Sequence, residues 1–218
     1  MLRPPSSTTE RLEAFSDGVI AIAITLRVLE IGVPHVDAHD SLWNALVDRW
    51  PSYVAFILSF VTIGIMWVSH HSMFERIGAV DRRLLFINLL LLMGIAFLPF
   101  PTELVASYVR EGGTNSHVAA AVYSLTLVAI GIAFSGMWYH LMKRPWLLAT
   151  GVPTERTHIA FKRSMIGPGL YLLTVGLAFV SAPACFVAYA LISLYFAAGP
   201  SSRVVTPADP NELERGSP

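Results

Sequence analysis

Several ionisable and hydrogen-bonding side chains interrupt apolar segments of this sequence, and they are its best candidates for chemistry. They are Arg11, Ser16 and Asp17 in the first segment, His70 with Trp67 and His71 beside it at the end of the second, and Asn88 in the third. Such groups are costly inside a bilayer, so they normally face the protein interior and find partners. A mutual network would satisfy them. It would either hold helices together or relay protons through Asp17 and His70.

The first apolar segment also has an apolar face. At about 100° per residue, Ile22, Leu26 and Leu29 fall within an arc of about 60°, whereas Asp17 points about 140° away from Ile22. On most membrane helices, such a stripe contacts lipid or packs in the core. That interpretation stays open at this point beside a functional one.

Composition places these residues in a membrane protein. Hydrophobic residues make up 54% of the 218 residues and charged residues 14%, against about 25% charged residues in soluble domains. The mean hydropathy is +0.58. A soluble enzyme, a nucleic-acid-binding protein and a disulfide scaffold are therefore poor first interpretations. The formal net charge of zero implies no large electrostatic partner, and the single Cys185 cannot form an internal disulfide.

An all-α fold with six transmembrane helices is predicted, because a hydrocarbon core of about 30 Å takes about 20 apolar residues as helix. The predicted spans are residues 13–31, 52–72, 83–104, 117–141, 164–182 and 184–199, within one domain of residues 1–200. A tight hairpin at Ala182 and Pro183 is predicted between the last two spans, and Pro168 should kink or begin the fifth. Residues 201–218, rich in Pro, Ser and acidic side chains, are predicted to form a disordered cytoplasmic tail.

The placement of Lys and Arg predicts the orientation. With the N-terminus inside, the inner segments carry twelve of these residues and the outer loops only two, Arg49 and Arg110. Positive charge is retained in the cytoplasm, so both termini are predicted to be cytoplasmic. Residues 1–10 lack the apolar region of a signal peptide.

Ordered motifs run through the first half of the chain. They are Arg11-x-x-x-Phe15-Ser16-Asp17 followed by Gly-Val-x-Ala-Ile-Ala-x-Thr-Leu, then Phe60…Gly64-Ile-x-Trp67-x-x-His70-His71, Asn88-Leu-Leu and Phe97-Leu-Pro99-Phe100-Pro101. Together they resemble the TMEM175 family of potassium channels, and the single six-helix unit is similar to its prokaryotic form. The resemblance implies a homotetramer in a prokaryotic plasma membrane. The implied partners are the chain's own copies, the lipid bilayer and permeant potassium ions, with no nucleic acid, cofactor or bound metal.

The resemblance also implies a pore lined by the first helix of each subunit. By register, Ile22 matches the tightest apolar ring, Leu26 and Leu29 match further rings toward the outside, and Thr25 matches a position where a hydroxyl serves selectivity. The buried network that holds the pore helices together would comprise Arg11, Phe15, Ser16, Asp17, Trp67, His70 and Asn88. The chain has no Thr-Val-Gly-Tyr-Gly loop, so selectivity would arise where ions shed water at an apolar constriction, and it would be modest.

One residue departs from the family pattern. Arg27 stands where the family usually has an apolar side chain. It either pairs with Glu30 at i,i+3 or extends its charged end to the membrane surface. If it faced the pore axis instead, four copies would repel cations.

Three other classes of protein are alternatives to a channel. A proton-coupled secondary transporter would use Asp17 and His70, but transporters commonly have internal repeats and broken helices that are not evident here. An intramembrane enzyme would need a nucleophile or a metal cluster, which the sequence does not supply, so no catalytic residue is predicted. A purely structural membrane protein would leave liposomes impermeable to ions.

Overall fold

The apolar segments fold into helices in a computed structural model that describes residues 8–36 and 41–197, without the side chains of Arg27 and Glu30. The α-helices of the described residues are α1 (Thr8–Leu26), α2 (Leu42–Asp48), α3 (Trp50–Phe74), α4 (Arg82–Phe97), α5 (Pro99–Tyr108), α6 (Gly113–Lys143), α7 (Thr154–Ser164), α8 (Ile166–Ala178) and α9 (Ala182–Ala197). Short 3₁₀ helices cover Arg27–Ile31 and Pro145–Leu147. The predicted all-α class is therefore confirmed.

The helices correspond to the predicted spans with several corrections. Three stretches are long and apolar enough to cross a membrane, namely Trp50–Phe74, Arg82–Tyr108 and Gly113–Lys143, and α9 is a shorter apolar helix. The first α-helix starts at Thr8 and ends at Leu26, where a 3₁₀ turn replaces the predicted continuation to residue 31. The fifth predicted span, residues 164–182, contains the shorter helix α8, Ile166–Ala178. Six membrane crossings stay a prediction.

The last two spans also join differently from the prediction. The turn lies at residues 179–181, and Pro183 stands inside the first turn of α9, where its missing N–H costs no helical hydrogen bond. Pro168 lies in the first turn of α8, as expected of a proline that begins a span. The predicted tail, residues 201–218, lies outside the described residues.

The longest helix, α6, is the centre of the subunit. It packs against α4, α5, α7 and α8, and the contacts are close because small residues face its neighbours. A Cβ added to Gly131 would lie 2.8 Å from Pro168 Cδ in α8, and one added to Gly94 of α4 would lie 2.8 Å from Ile130 Cγ1. Such approach is typical of helix packing in membranes.

Helix α1 packs against α3 and α4 rather than against the central helix. It runs antiparallel to α3. One contact that shows this direction is the Arg49 guanidinium, just before α3, which donates to the Ile31 carbonyl at the far end of the 3₁₀ turn that follows α1. The start of α4 is held separately. Asp81 caps its N-terminus by accepting from the Leu84 N–H at 2.8 Å and also binds His140 and Arg144 of the α6 end.

Candidate functional site

Helix α1 has two faces with different chemistry. Leu12, Ser16, Ile20 and Ala23 are buried and recur at the three- and four-residue spacing of one helical face. This buried face meets α3 and α4. The opposite face is open in the single chain. The site is therefore built from a fixed polar layer on one side of α1 and a free apolar surface on the other.

The buried layer is a continuous chain of hydrogen bonds from α1 to α4 and α3. Ser16 Oγ donates to the Leu12 carbonyl at 2.9 Å and accepts from Asn88 Nδ2 at 2.9 Å. Asn88 Oδ1 lies 2.9 Å from His70 Nε2. Since an amide oxygen can only accept, His70 Nε2 carries the proton. Ser16, His70 and Asn88 are fully buried, and this layer is called the Asn88 bridge below.

A second set of contacts lies at the edge of the α1–α3 interface. Trp67 Nε1 donates to Asp17 Oδ1 at 2.9 Å, and His71 Nδ1 lies 3.0 Å from Glu13 Oε1. Glu13 and Asp17 are four residues apart on α1, and Trp67 and His71 are four residues apart on α3. The two contacts therefore lie one turn apart along antiparallel helices. They act with the Asn88 bridge to set the register of α1 on α3.

The structure brings together most, but not all, of the residues predicted for the polar network. Ser16, His70 and Asn88 meet in one chain of hydrogen bonds, and Asp17 and Trp67 meet in another. Arg11 and Phe15 are exposed and make no hydrogen bond or ion pair with another described side chain. In the single chain they therefore stand apart from both contacts.

Sequence reasoning placed His71 beside the network but missed Glu13. The signal was available: Glu13 and Asp17 are spaced i,i+4 on α1, as Trp67 and His71 are on α3. Matched spacing of hydrogen-bonding partners on two neighbouring helices predicts a ladder once the helices are known to be antiparallel. The antiparallel contact itself could be inferred only from the predicted topology.

The apolar stripe of α1 is open to its surroundings. Ile22, Leu26 and Leu29 are 58%, 51% and 72% exposed, and a Cβ added at Gly18 would have no neighbour within 4 Å apart from the nearby backbone of its own helix. Leu29 belongs to the 3₁₀ turn, in which side chains three residues apart eclipse each other. Leu29 therefore lies over Leu26, and the stripe narrows from about 60° to about 40° of arc.

Thr25 stands beside this stripe and is exposed. Its hydroxyl donates to the Ala21 carbonyl at 2.9 Å and lies 3.2 Å from that of Ile22. Because the proton is used within the helix, the remaining lone pairs of the Thr25 oxygen are free to accept. The arrangement offers an oxygen ligand next to an otherwise apolar face. The predicted Arg27–Glu30 pair lies outside the described side chains.

Among residues 8–36 and 41–197, no three His, Cys, Asp or Glu side chains are grouped as metal ligands. The expected lack of a cofactor stays a prediction. Cys185 is buried and free within the described part of the chain.

The helical fold and its apolar segments define a multi-pass, all-helical membrane protein. A family model described as the endosomal/lysosomal potassium channel TMEM175 matches residues 11–99. A potassium channel of Streptomyces collinus is 50% identical over 186 residues, which cover 85% of this chain and 90% of the relative. The chain therefore belongs to the TMEM175 family.

Two further comparisons place the chain within that family. The crystal structure of a lysosomal potassium-selective channel TMEM175 homolog from Chamaesiphon minutus superposes with a TM-score of 0.77 at 40% identity, covering 87% of this chain and 96% of that one. The human endosomal/lysosomal proton channel TMEM175 is 33% identical over 138 residues, which cover 59% of this chain and 27% of the human protein. The likeness to the bacterial channel extends over nearly the whole chain.

Proposed function

We propose that this chain is the subunit of a potassium channel with modest selectivity, assembled as a homotetramer in a prokaryotic plasma membrane. The main support is that bacterial relatives matching the chain nearly end to end are named potassium channels. In this proposal, residues 1–200 cross the bilayer six times with both termini in the cytoplasm. The excess of Lys and Arg on the inner side supports that orientation.

The pore is proposed to lie where four copies of α1 meet. The observation that carries this proposal is that Ile22, Leu26 and Leu29 are exposed on one line while the opposite face of α1 is fixed by the Asn88 bridge. Helix α1 also carries Glu13 and Asp17 and is not among the helices apolar enough to cross a membrane by themselves. Neighbouring subunits would shield such a helix from lipid.

In this arrangement, the apolar rings would act by controlling hydration. A narrow ring of Ile22 side chains excludes bulk water, so an ion passes only by giving up part of its water shell. Potassium loses water at lower cost than sodium, which favours potassium without a carbonyl filter. The free lone pairs of Thr25 would replace part of the lost hydration, and the Asn88 bridge would hold α1 in position.

The alternative, a proton-coupled transporter, needs Asp17 and His70 to exchange protons. In the described structure, the two side chains are hydrogen-bonded to different partners, Trp67 and Asn88. No hydrogen bond of the described residues joins the two pairs. This separation favours a passive channel over a relay through these residues.

The test is ion flux in proteoliposomes with Ile22→Asn. The polar side chain should widen and wet the constriction, so that conductance rises and the potassium-to-sodium permeability ratio falls toward one. Val61→Asn is the matched control. It replaces an exposed aliphatic residue of α3 at nearly the same depth, since Asp17 pairs with Trp67 and Glu13 with His71. An unchanged ratio in Ile22→Asn, or an equal change in the control, would count against the constriction.

A further inference from the structure

A cavity of about 340 Å³ lies among α3, α6, α7, α8 and α9. No described residue of α1 lines it, so it is separate from the apolar stripe. Its volume is at the lower end of the range for small-molecule sites, about 300–1,000 Å³. Neither the polar layer of α1 nor the proposed pore uses it.

The polarity of the cavity changes from one end to the other. Halfway along α6, the side of the wall that α6 forms is apolar, with Leu127, Ile130 and Phe134. The facing hydroxyls of Thr62 and Ser193 lie 3.3 Å apart and hydrogen-bond to each other. Toward the end of α6 and just beyond the end of α3, its wall includes Trp138 and Arg76. The order of residues along these two helices therefore separates an apolar interior from a basic mouth.

The basic mouth is formed by three arginines, because α7 adds Arg156 and Arg163 to Arg76. The cavity lining contains no Asp or Glu among the described residues. Within residues 8–36 and 41–197, none of the three guanidinium groups makes an ion pair with a carboxylate. Arg76 lies over the Trp138 ring, 5.7 Å from its centroid. The arginines are therefore available to an anion.

In the proposed topology, helix α7 lies at a membrane boundary. It follows α6 and precedes α8, it is polar on average, and its last turn carries Lys162 and Arg163. The same helix leaves Ile159 exposed and packs Phe161 against Tyr139. A short basic helix with apolar side chains is typical of the interface between headgroups and acyl chains. Its placement in the inner leaflet rests on the topology proposed above.

We propose that this cavity binds an anionic phospholipid of the cytoplasmic leaflet. Its phosphate contacts the guanidinium groups of Arg76, Arg156 and Arg163, and the start of one acyl chain enters the apolar interior. Charge complementarity selects the anionic headgroup, since basic pockets between transmembrane helices bind such lipids. The apolar wall distinguishes a lipid from a free phosphate ion, which would gain nothing from Leu127, Ile130 and Phe134.

The test is native mass spectrometry of the delipidated, detergent-purified protein with added phosphatidylglycerol or phosphatidylcholine. The protein should retain phosphatidylglycerol in preference to phosphatidylcholine. Arg76→Gln, Arg156→Gln and Arg163→Gln should each weaken phosphatidylglycerol binding about fivefold and leave phosphatidylcholine unchanged, as expected for removing one basic group near an anionic lipid. Arg83→Gln, an exposed arginine of α4 outside the cavity, is the matched control and should have no effect.

Two further experiments distinguish a bound phospholipid from a free phosphate compound. Ala160→Trp fills the cavity from α7 and should abolish the preference for phosphatidylglycerol. Glycerol phosphate, which has the anionic group without acyl chains, should fail to compete. Competition by glycerol phosphate, or equal losses in the Arg83→Gln control, would overturn the proposal. Lipid binding is measured without ion flux, so a negative result here leaves the proposed channel activity untouched.

Discussion

Asn88 is the residue that joins three helices by hydrogen bonds. Its amide donates to Ser16 of α1 and accepts from His70 of α3, while the residue itself belongs to α4. An amide suits this position because it offers a donor and an acceptor at once. His70 is held further by stacking on Phe74, with ring centroids 4.3 Å apart. The Asn88 bridge therefore depends on the hydrogen bonds of Asn88 to both Ser16 and His70.

Asn88→Leu should therefore destabilise the protein, although the two side chains are similar in size. It leaves the buried His70 N–H without its acceptor, and an unsatisfied buried group costs about 1–3 kcal/mol. Thermal unfolding in detergent should detect the loss. Asn115→Leu, at an exposed asparagine of α6, is the control and should shift the unfolding temperature little. Equal shifts in the two variants would contradict a structural role for the Asn88 bridge.

Asp17→Asn distinguishes a passive channel from a proton-coupled transporter, because it removes a carboxylate that could exchange protons. The amide oxygen can still accept from Trp67 Nε1, but the carboxylate charge is gone. Passive potassium flux should persist in liposomes, without obligatory movement of protons. Asp17→Leu removes the acceptor as well and should lower thermal stability. Loss of all transport in Asp17→Asn, with folding intact, would favour the proton-coupled alternative.

Much of the polar layer on α1 could be predicted from residue types in the sequence. Ser16, His70 and Asn88 could be grouped because each is a polar residue in an apolar segment on the same predicted side of the membrane. Glu13 was missed because its partner depends on the register between α1 and α3, which is a tertiary property. The exposed positions of Arg11 and Phe15 depend equally on packing rather than on sequence spacing.

Among the helices, Asp81 links the start of α4 to the end of α6. Its carboxylate accepts from the Leu84 N–H and lies 2.9 Å from His140 Nε2, and Arg144 contacts its second oxygen. Burial opposes the charged form, but these hydrogen bonds and the nearby positive charge outweigh it, so the pKa of Asp81 is lowered. One ionised side chain thus caps a helix and ties two helices together.

A pH dependence of stability follows from this lowered pKa. The charged Asp81 stabilises the folded protein at pH values above about 4, the ordinary pKa of an aspartate, and this stabilisation is lost as the pH falls through the lower folded value. Asp81→Asn keeps a good helix cap but loses the charge, so its stability should depend less on acid pH. Asp81→Ala should lose about 1–2 kcal/mol of capping as well.

Unfolding temperatures measured from about pH 7 down to about pH 2, a range that includes the ordinary aspartate pKa of about 4 and values below it, would compare these variants. Asp48→Asn is the control, because Asp48 is exposed and its ion pair with Arg110 spans 4.0 Å. An acid dependence that is identical in the wild type and Asp81→Asn would contradict the assignment.

The helices themselves were largely predictable, and their ends were not. The runs behind α3, α6 and the joined α4 and α5 are long enough that hydropathy alone identifies them. The start of α8 at Ile166 lies close to the predicted start at residue 164, because Pro168 indicates the beginning of a helix there, whereas α8 ends at Ala178, before the predicted residue 182. The 3₁₀ turn after Leu26 was also unforeseen. Helix ends depend on contacts between elements, which periodicity does not encode.

In the whole molecule, the side chains exposed on α1 of one subunit should become part of the lining of a shared pathway. A cysteine placed there should react with an ion that travels the same route. Cys185 is the chain's single cysteine and is buried, so Cys185→Ala gives a background without reactive thiols.

In that background, Ile22→Cys should make potassium flux sensitive to block by silver ions, which bind thiolates and carry the same charge as potassium. Leu173→Cys, at an exposed position of α8 away from α1, is the control and should remain insensitive. Flux assays in liposomes with silver added outside would measure both variants. Block of the control alone, or of neither variant, would contradict an α1-lined pathway.

An experimental structure of the assembled protein in lipid nanodiscs would show directly whether the α1 helices line one passage. We expect four subunits around one axis, with Ile22 side chains forming the narrowest point and Leu26 and Leu29 lining the path toward the outer surface. A structure in which this stripe of α1 contacts lipid, or in which the subunits enclose no axial passage, would contradict this expectation.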